Sequence, residues 1–129
     1  MILKILLPIW LVFFPVFFIE IAALTDEQIA SITKNIVKWA TISFTKEQLS
    51  NIFIKSSTGF YETEDGKPNG ATKEGIQIML DNADVLPVKA AGGIRTKEEA
   101  EEMIKMGVKR IGTSSALALI GKGQSSSGY

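Results

Sequence analysis

The sequence predicts an α/β fold in which helices cover a parallel sheet. Short apolar runs recur at residues 16–21, 51–56, 85–90 and 108–111. Segments of helical periodicity lie between them, and turn formers or capping residues mark the joins. Strands alternating with helices imply parallel pairing, because each crossover helix returns the chain to the same end of the sheet. A doubly wound sheet and half of a (β/α)8 barrel satisfy this pattern equally. A whole barrel needs about 250 residues, and this chain has 129.

Each element has its own signal. Thr25-Asp26-Glu27-Gln28 is a capping box, and Ile29, Ile32, Ile36 and Val37 form one face of the helix it opens, to about Trp39. Residues 41–50 are ambiguous, with room for a further short helix from Thr45. Ile52-Phe53-Ile54 is a buried strand ending on Lys55. The next loop, residues 58–71, is rich in Gly, Pro and Asn. Thr72 then caps a helix with a stripe of Ile76, Met79, Leu80 and Ala83. Residues 85–90 form the next strand, with Lys89 near its end. Thr96-Lys97-Glu98-Glu99 opens a helix bearing Ala100, Met103 and Ile104, and Gly107 stops it. Residues 108–111 are the last strand and 116–120 a short final helix. Counted as a half barrel, the inner face of the sheet is expected to include Ile52, Ile54, Val88 and Ile111.

The N-terminal segment is unusual. Ile2 to Ile19 is almost wholly apolar, with Lys4 its one charge and Pro8 and Pro15 inside it. Three readings stay open on the residues alone: a signal peptide, a membrane span at the lower length limit, or a buried strand behind an apolar leader. At the other end, residues 122–129 read as a Gly/Ser-rich flexible tail that ends on Tyr129.

Composition removes several chemistries. With neither Cys nor His, thiolate nucleophiles, histidine triads and the usual zinc sites are excluded. Equal counts of basic and acidic residues, 14 each, give no sign of nucleic-acid binding. Lysines, carboxylates, hydroxyls and backbone amides remain.

Two lysines stand out among these, because Lys55 and Lys89 lie at the ends of consecutive strands. Sites in parallel α/β folds gather at those ends. Two ammonium groups about 6 Å apart repel by roughly 3 kcal/mol at an effective dielectric of about 20. Such repulsion favours the neutral amine that a Schiff-base nucleophile requires. Strand-end lysines that merely reach solvent are the competing explanation. A second constellation suits an anion: Gly92-Gly93 after one strand and Gly112-Thr113-Ser114-Ser115 after the next, each leading into a helix, with Ser56-Ser57-Thr58-Gly59 a third such turn. Ordinary strand-to-helix turns would look the same.

Four blocks together resemble the deoxyribose-phosphate aldolases, a class I aldolase family. They are Phe53-Ile54-Lys55-Ser56-Ser57-Thr58-Gly59-Phe60, Asn69-Gly70-Ala71-Thr72, Val88-Lys89-Ala90-Ala91-Gly92-Gly93-Ile94-Arg95-Thr96 and Arg110-Ile111-Gly112-Thr113-Ser114-Ser115. Phe18-Ile19-Glu20 followed by Leu24-Thr25-Asp26-Glu27 resembles the family's fifth strand entering its fifth helix. The resemblance implies a partial TIM barrel of about four βα units, strands five to eight, over residues 16–121, after an apolar leader at 1–15.

It further implies reversible cleavage of 2-deoxy-D-ribose 5-phosphate to glyceraldehyde 3-phosphate and acetaldehyde, without a cofactor or metal. Lys55 would form the Schiff base, and Lys89 would lower its pKa and assist proton transfer. Tyr129 would move a proton, and Gly59, Gly92, Gly93, Ser114 and Ser115 would surround the phosphate. The family's catalytic aspartate lies on an earlier strand and has no counterpart here, so the chain is expected to be impaired alone, in want of a complementary half-barrel or a second copy. A cytoplasmic location is implied, with membrane contact or secretion through residues 2–19 as the alternative. A half-barrel that binds a phosphorylated ligand or a partner without catalysis is the rival expectation.

Overall fold

The computed structural model describes residues 16–64 and 66–121. The expectations for residues 1–15 and 122–129, Tyr129 included, lie outside the described residues. The elements are β1 (Val16–Phe18), a 3-10 turn (Ile21–Ala23), α1 (Asp26–Ser43), α2 (Lys46–Leu49), β2 (Phe53–Lys55), α3 (Lys73–Asn82), β3 (Val88–Ala91), α4 (Lys97–Met106), β4 (Arg110–Gly112) and α5 (Ala116–Leu119). Val16–Phe18, the described end of the apolar segment, is thus a sheet strand, and no described helix is long and apolar enough to cross a membrane.

The sheet settles the choice between the two α/β architectures. All three pairings are parallel and the order is β1-β2-β3-β4. Each crossover therefore steps one strand in the same direction. Right-handed crossovers that never reverse direction leave every helix on one face, whereas a doubly wound sheet reverses at a switch point. Accordingly, α1 packs on α3, α3 on α4 and α4 on α5. This is the arrangement of a partial barrel.

Register fixes what each face carries, since side chains alternate along a strand. Ile54 pairs with Val88 and Ala90 with Ile111, and these residues pack with Ile76 and Met79 of α3 in one core. The expectation that Ile52, Ile54, Val88 and Ile111 form the inner face is therefore corrected. They face the helices, and Phe53, Lys55, Lys89 and Arg110 take the other side. A one-residue error in phase exchanges the two faces of a strand completely.

Local signals explain most boundaries. Thr25 and Thr96 make the capping boxes read from the sequence, and Thr45 makes a third at α2. Gly107 ends α4 in the left-handed region at φ 118°. Helix α1 runs four residues past Trp39, because the chain next turns only at Phe44, where its amide bonds the Ala40 carbonyl. Its buried residues are Ile29, Thr33, Val37 and Ala40. Ile32 is displaced from the expected stripe to the surface, and so is Ile104 on α4. Thr33 is tolerated in the core because its hydroxyl donates to the Ile29 carbonyl at 2.7 Å. Strand β3 starts three residues later than expected, since the Leu86 amide still closes the turn from Ala83.

Candidate active site

Lys55 and Lys89 are register partners on adjacent strands, so their side chains leave the same side of the sheet, opposite the described helices. Phe18 precedes them in that row and Arg110 follows, through the pairings Phe18↔Lys55 and Lys89↔Arg110. Lys55 is only 8% exposed, which sets it apart from a lysine that merely reaches solvent. Its Nζ lies 5.0 Å from the centroid of the Phe18 ring, so part of its charge is offset by the ring's negative face. Arg110 stacks in the same way on Phe53, 4.1 Å from its centroid.

The pKa of Lys89 is depressed. Burial is the first cause, and the neighbouring charges of Lys55 and then Arg110 add to it. Mutual repulsion is therefore present but secondary to desolvation. Gly112 leaves room for this arrangement: a β-carbon there would sit 3.0 Å from Lys89 Cε and 3.0 Å from the Ala91 β-carbon. Arg110 and Gly112 thus shape the lysine site, although the sequence marked Gly112 only as part of an anion-binding turn and Arg110 not at all as a site residue. Only register puts them beside Lys89.

The turns beyond the strand ends are joined to one another by side chains. Glu20 Oε2 accepts from the Thr58 amide at 2.9 Å and from the Thr58 hydroxyl at 2.5 Å. Ser56 Oγ donates to the Ala91 carbonyl and accepts from the Ala91 amide, both at 2.9 Å. Thr113 Oγ1 donates to the Ile94 carbonyl at 2.7 Å. Gly70 crosses Gly92 so closely that a β-carbon on Gly70 would lie 2.5 Å from Gly92 Cα. Both glycines have positive φ, 88° and 90°. Glu20, Ser56, Gly70 and Thr113 hold the rim together, and nothing in their spacing announces it.

The expected anion-binding residues differ in what they offer. Gly59, Gly92 and Gly93 border a cavity of about 1010 Å³ together with Ser57 and Arg95. Neither lysine lines this cavity; both stand on the inner side of the sheet. The Gly59 amide already donates to Ser57 Oγ at 3.0 Å, and the Ser115 amide to Thr113 Oγ1 at 2.9 Å. Ser114 is exposed and Ser115 buried. The N-terminus of α4 is filled by its own Glu99 carboxylate, which accepts from the Arg95 and Thr96 amides. Those backbone bonds hold Glu99 below the usual carboxylate range. An anion at the β3 turn would therefore rely on the Gly92-Gly93 backbone more than on the helix end.

Comparison with known proteins agrees with this architecture. Deoxyribose-phosphate aldolase 1 of Vibrio vulnificus is 38% identical over 112 residues, covering 85% of this chain and 44% of that protein. In sequence and fold, the chain is related to the deoxyribose-phosphate aldolases. The deoxyribose-phosphate aldolase of Bacillus subtilis is 42% identical over 77 residues, covering 59% of this chain and 31% of that enzyme. Among solved structures, an aldolase designated QR15 matches 81% of this chain and 40% of its own at 34% identity, with a TM-score of 0.60. No family model matches the chain. It thus spans less than half the length of these aldolase relatives.

Proposed function

We propose that the chain carries the Schiff-base half of a deoxyribose-phosphate aldolase site, with Lys55 as the nucleophile. The observation that carries this reading is the in-register pair of Lys55 and Lys89 on the face opposite the described helices, the first buried and the second with a depressed pKa. The Lys55 amine would add to C1 of open-chain 2-deoxyribose 5-phosphate and expel water to form a protonated imine. The imine withdraws electrons, so the C2–C3 bond breaks as the C3 hydroxyl gives up its proton. Glyceraldehyde 3-phosphate leaves, and the remaining enamine takes a proton at C2. Water then releases acetaldehyde and restores the amine.

Lys89 suits the proton steps, since a lowered pKa brings it closer to equilibrium with both protonation states near neutral pH. Gly59, Gly92, Gly93, Ser114 and Ser115 are the proposed phosphate neighbours, and Tyr129 a proposed proton carrier. No carboxylate shares the row of the lysines in the described register. A complementary half-barrel or second copy is therefore proposed for full turnover, and a cytoplasmic setting follows from the same resemblance.

The test is borohydride reduction with acetaldehyde or 2-deoxyribose 5-phosphate, followed by peptide mass spectrometry. An adduct on Lys55, lost in K55M, is the expected result. An adduct confined to Lys89 would exchange the roles of the two lysines. The row of Lys55, Lys89 and Arg110 also suits a phosphate ester bound without reaction. Saturable binding of the ester with no adduct on either lysine would favour that second reading and overturn the first.

A further inference from the structure

We propose that Glu20 is a positioning residue: by fixing Thr58, it sets the turn after Lys55 for the phosphate end of a sugar phosphate. The inference rests on the aldolase reading for its consequence, though not for its geometry. Glu20 lies just past β1, two residues beyond Phe18, the register partner of Lys55. It reaches across to the next strand's turn and takes both donors of Thr58, amide and hydroxyl, on one oxygen. Thr58 Oγ1 in turn accepts from the Phe60 amide at 3.2 Å, and Ser57 Oγ from the Gly59 amide at 3.0 Å. One carboxylate thus determines how residues 57–60 present their hydroxyls and amides.

The other oxygen of Glu20 makes the role more than structural. Oε1 is buried and has no hydrogen-bond donor among the described residues. A buried acceptor without a donor is costly and calls for an explanation. An asparagine or serine could tether a turn without bringing a charge there. The acceptor is the one side-chain polar atom of this kind among the described residues, and it belongs to the carboxylate that holds the turn after Lys55.

The test uses the full chain with E20A and the isosteric E20Q. Amide hydrogen exchange, which needs no reaction, should rise about tenfold at Thr58 and Gly59 in E20A while β3 amides stay protected; E20Q, which keeps an acceptor, should rescue it. In borohydride trapping, E20A should raise the half-saturating concentration of 2-deoxyribose 5-phosphate about tenfold and that of acetaldehyde less than about twofold. Unchanged exchange at Thr58, or equal weakening by the phosphorylated and unphosphorylated substrates, would overturn the proposal. Absence of trapping in the wild-type chain would instead remove the aldolase reading, and the exchange result would still decide whether Glu20 holds the turn.

Discussion

At the scale of single residues, the chemistry turns on what surrounds Lys89. Its pKa is lowered in the folded state by burial, Lys55 and Arg110, so the unfolded chain binds this proton more tightly. Stability must then rise with pH between the folded pKa and the ordinary lysine value, because in that window the unfolded state holds the extra proton. Below that window the full penalty of a protonated, partly buried amine remains. K89M should remove this contribution, flattening the alkaline side of the stability curve and stabilising the protein near neutral pH. Urea titrations at several pH values would check it. A curve as steep in K89M as in the wild type would contradict the desolvation account.

Glycines give a second residue-scale contrast. Gly70 and Gly66 both have positive φ, 88° and 69°, but a β-carbon on Gly66 meets nothing within 4 Å while one on Gly70 runs into the Gly92 backbone. G66A should thus cost only the conformational penalty of about 1 kcal/mol. G70A should add a backbone displacement and cost about 3 kcal/mol or more. Thermal melts of the two variants would separate strain from collision.

At the scale of elements, what the sequence disclosed followed from how far each signal reaches. Capping boxes at Thr25 and Thr96 act within one turn, and they appear where they were read. Lys55 was legible because an apolar run ending on a lysine is itself a local pattern, and it does end β2; Lys89, expected at a strand end too, is instead followed by Ala90 and Ala91 within β3. Sheet phase was not local: whether Ile54 or Phe53 meets the helices depends on the pairing with Val88, which no single strand encodes. The rim contacts were hidden for the same reason, since Ser56 meets Ala91 across 35 residues. Ser56 joins β2 to β3 by serving both polar groups of Ala91. S56A would leave a buried amide and a buried carbonyl without their side-chain partner, at a cost of about 2–4 kcal/mol. Denaturant unfolding should show that loss, with faster exchange of the Ala91 amide; a change under about 0.5 kcal/mol would mean that the strands hold without the serine.

At the scale of the whole molecule, the main apolar cluster gathers on one side of the sheet, although Phe53 is buried on the other. The core lies between sheet and helices, while Phe18 remains 55% exposed on the opposite side. Leu117 and Ile120, 61% and 66% exposed, add apolar surface near the other end of the sheet. Strands β1 and β4 end the described sheet and keep unpaired edges there. These features predict that the chain self-associates or aggregates at micromolar concentration without detergent. Sedimentation velocity would test it: a stable monomer of 14.1 kDa with aldolase turnover would show that one copy is sufficient. A row carrying Lys55, Lys89 and Arg110 should make face-to-face pairing weaken at low salt, where like charges repel further.

The unbroken strand order also bears on how the fold is made during synthesis. Val16 pairs with Phe53, Ile54 with Val88 and Lys89 with Arg110, so each later strand docks on the one translated just before it. No described strand has to wait for a neighbour encoded further downstream than the next. The nascent chain can therefore add its βα units vectorially, each new edge serving as template for the next. The lysine pair would come together as soon as β3 clears the ribosome.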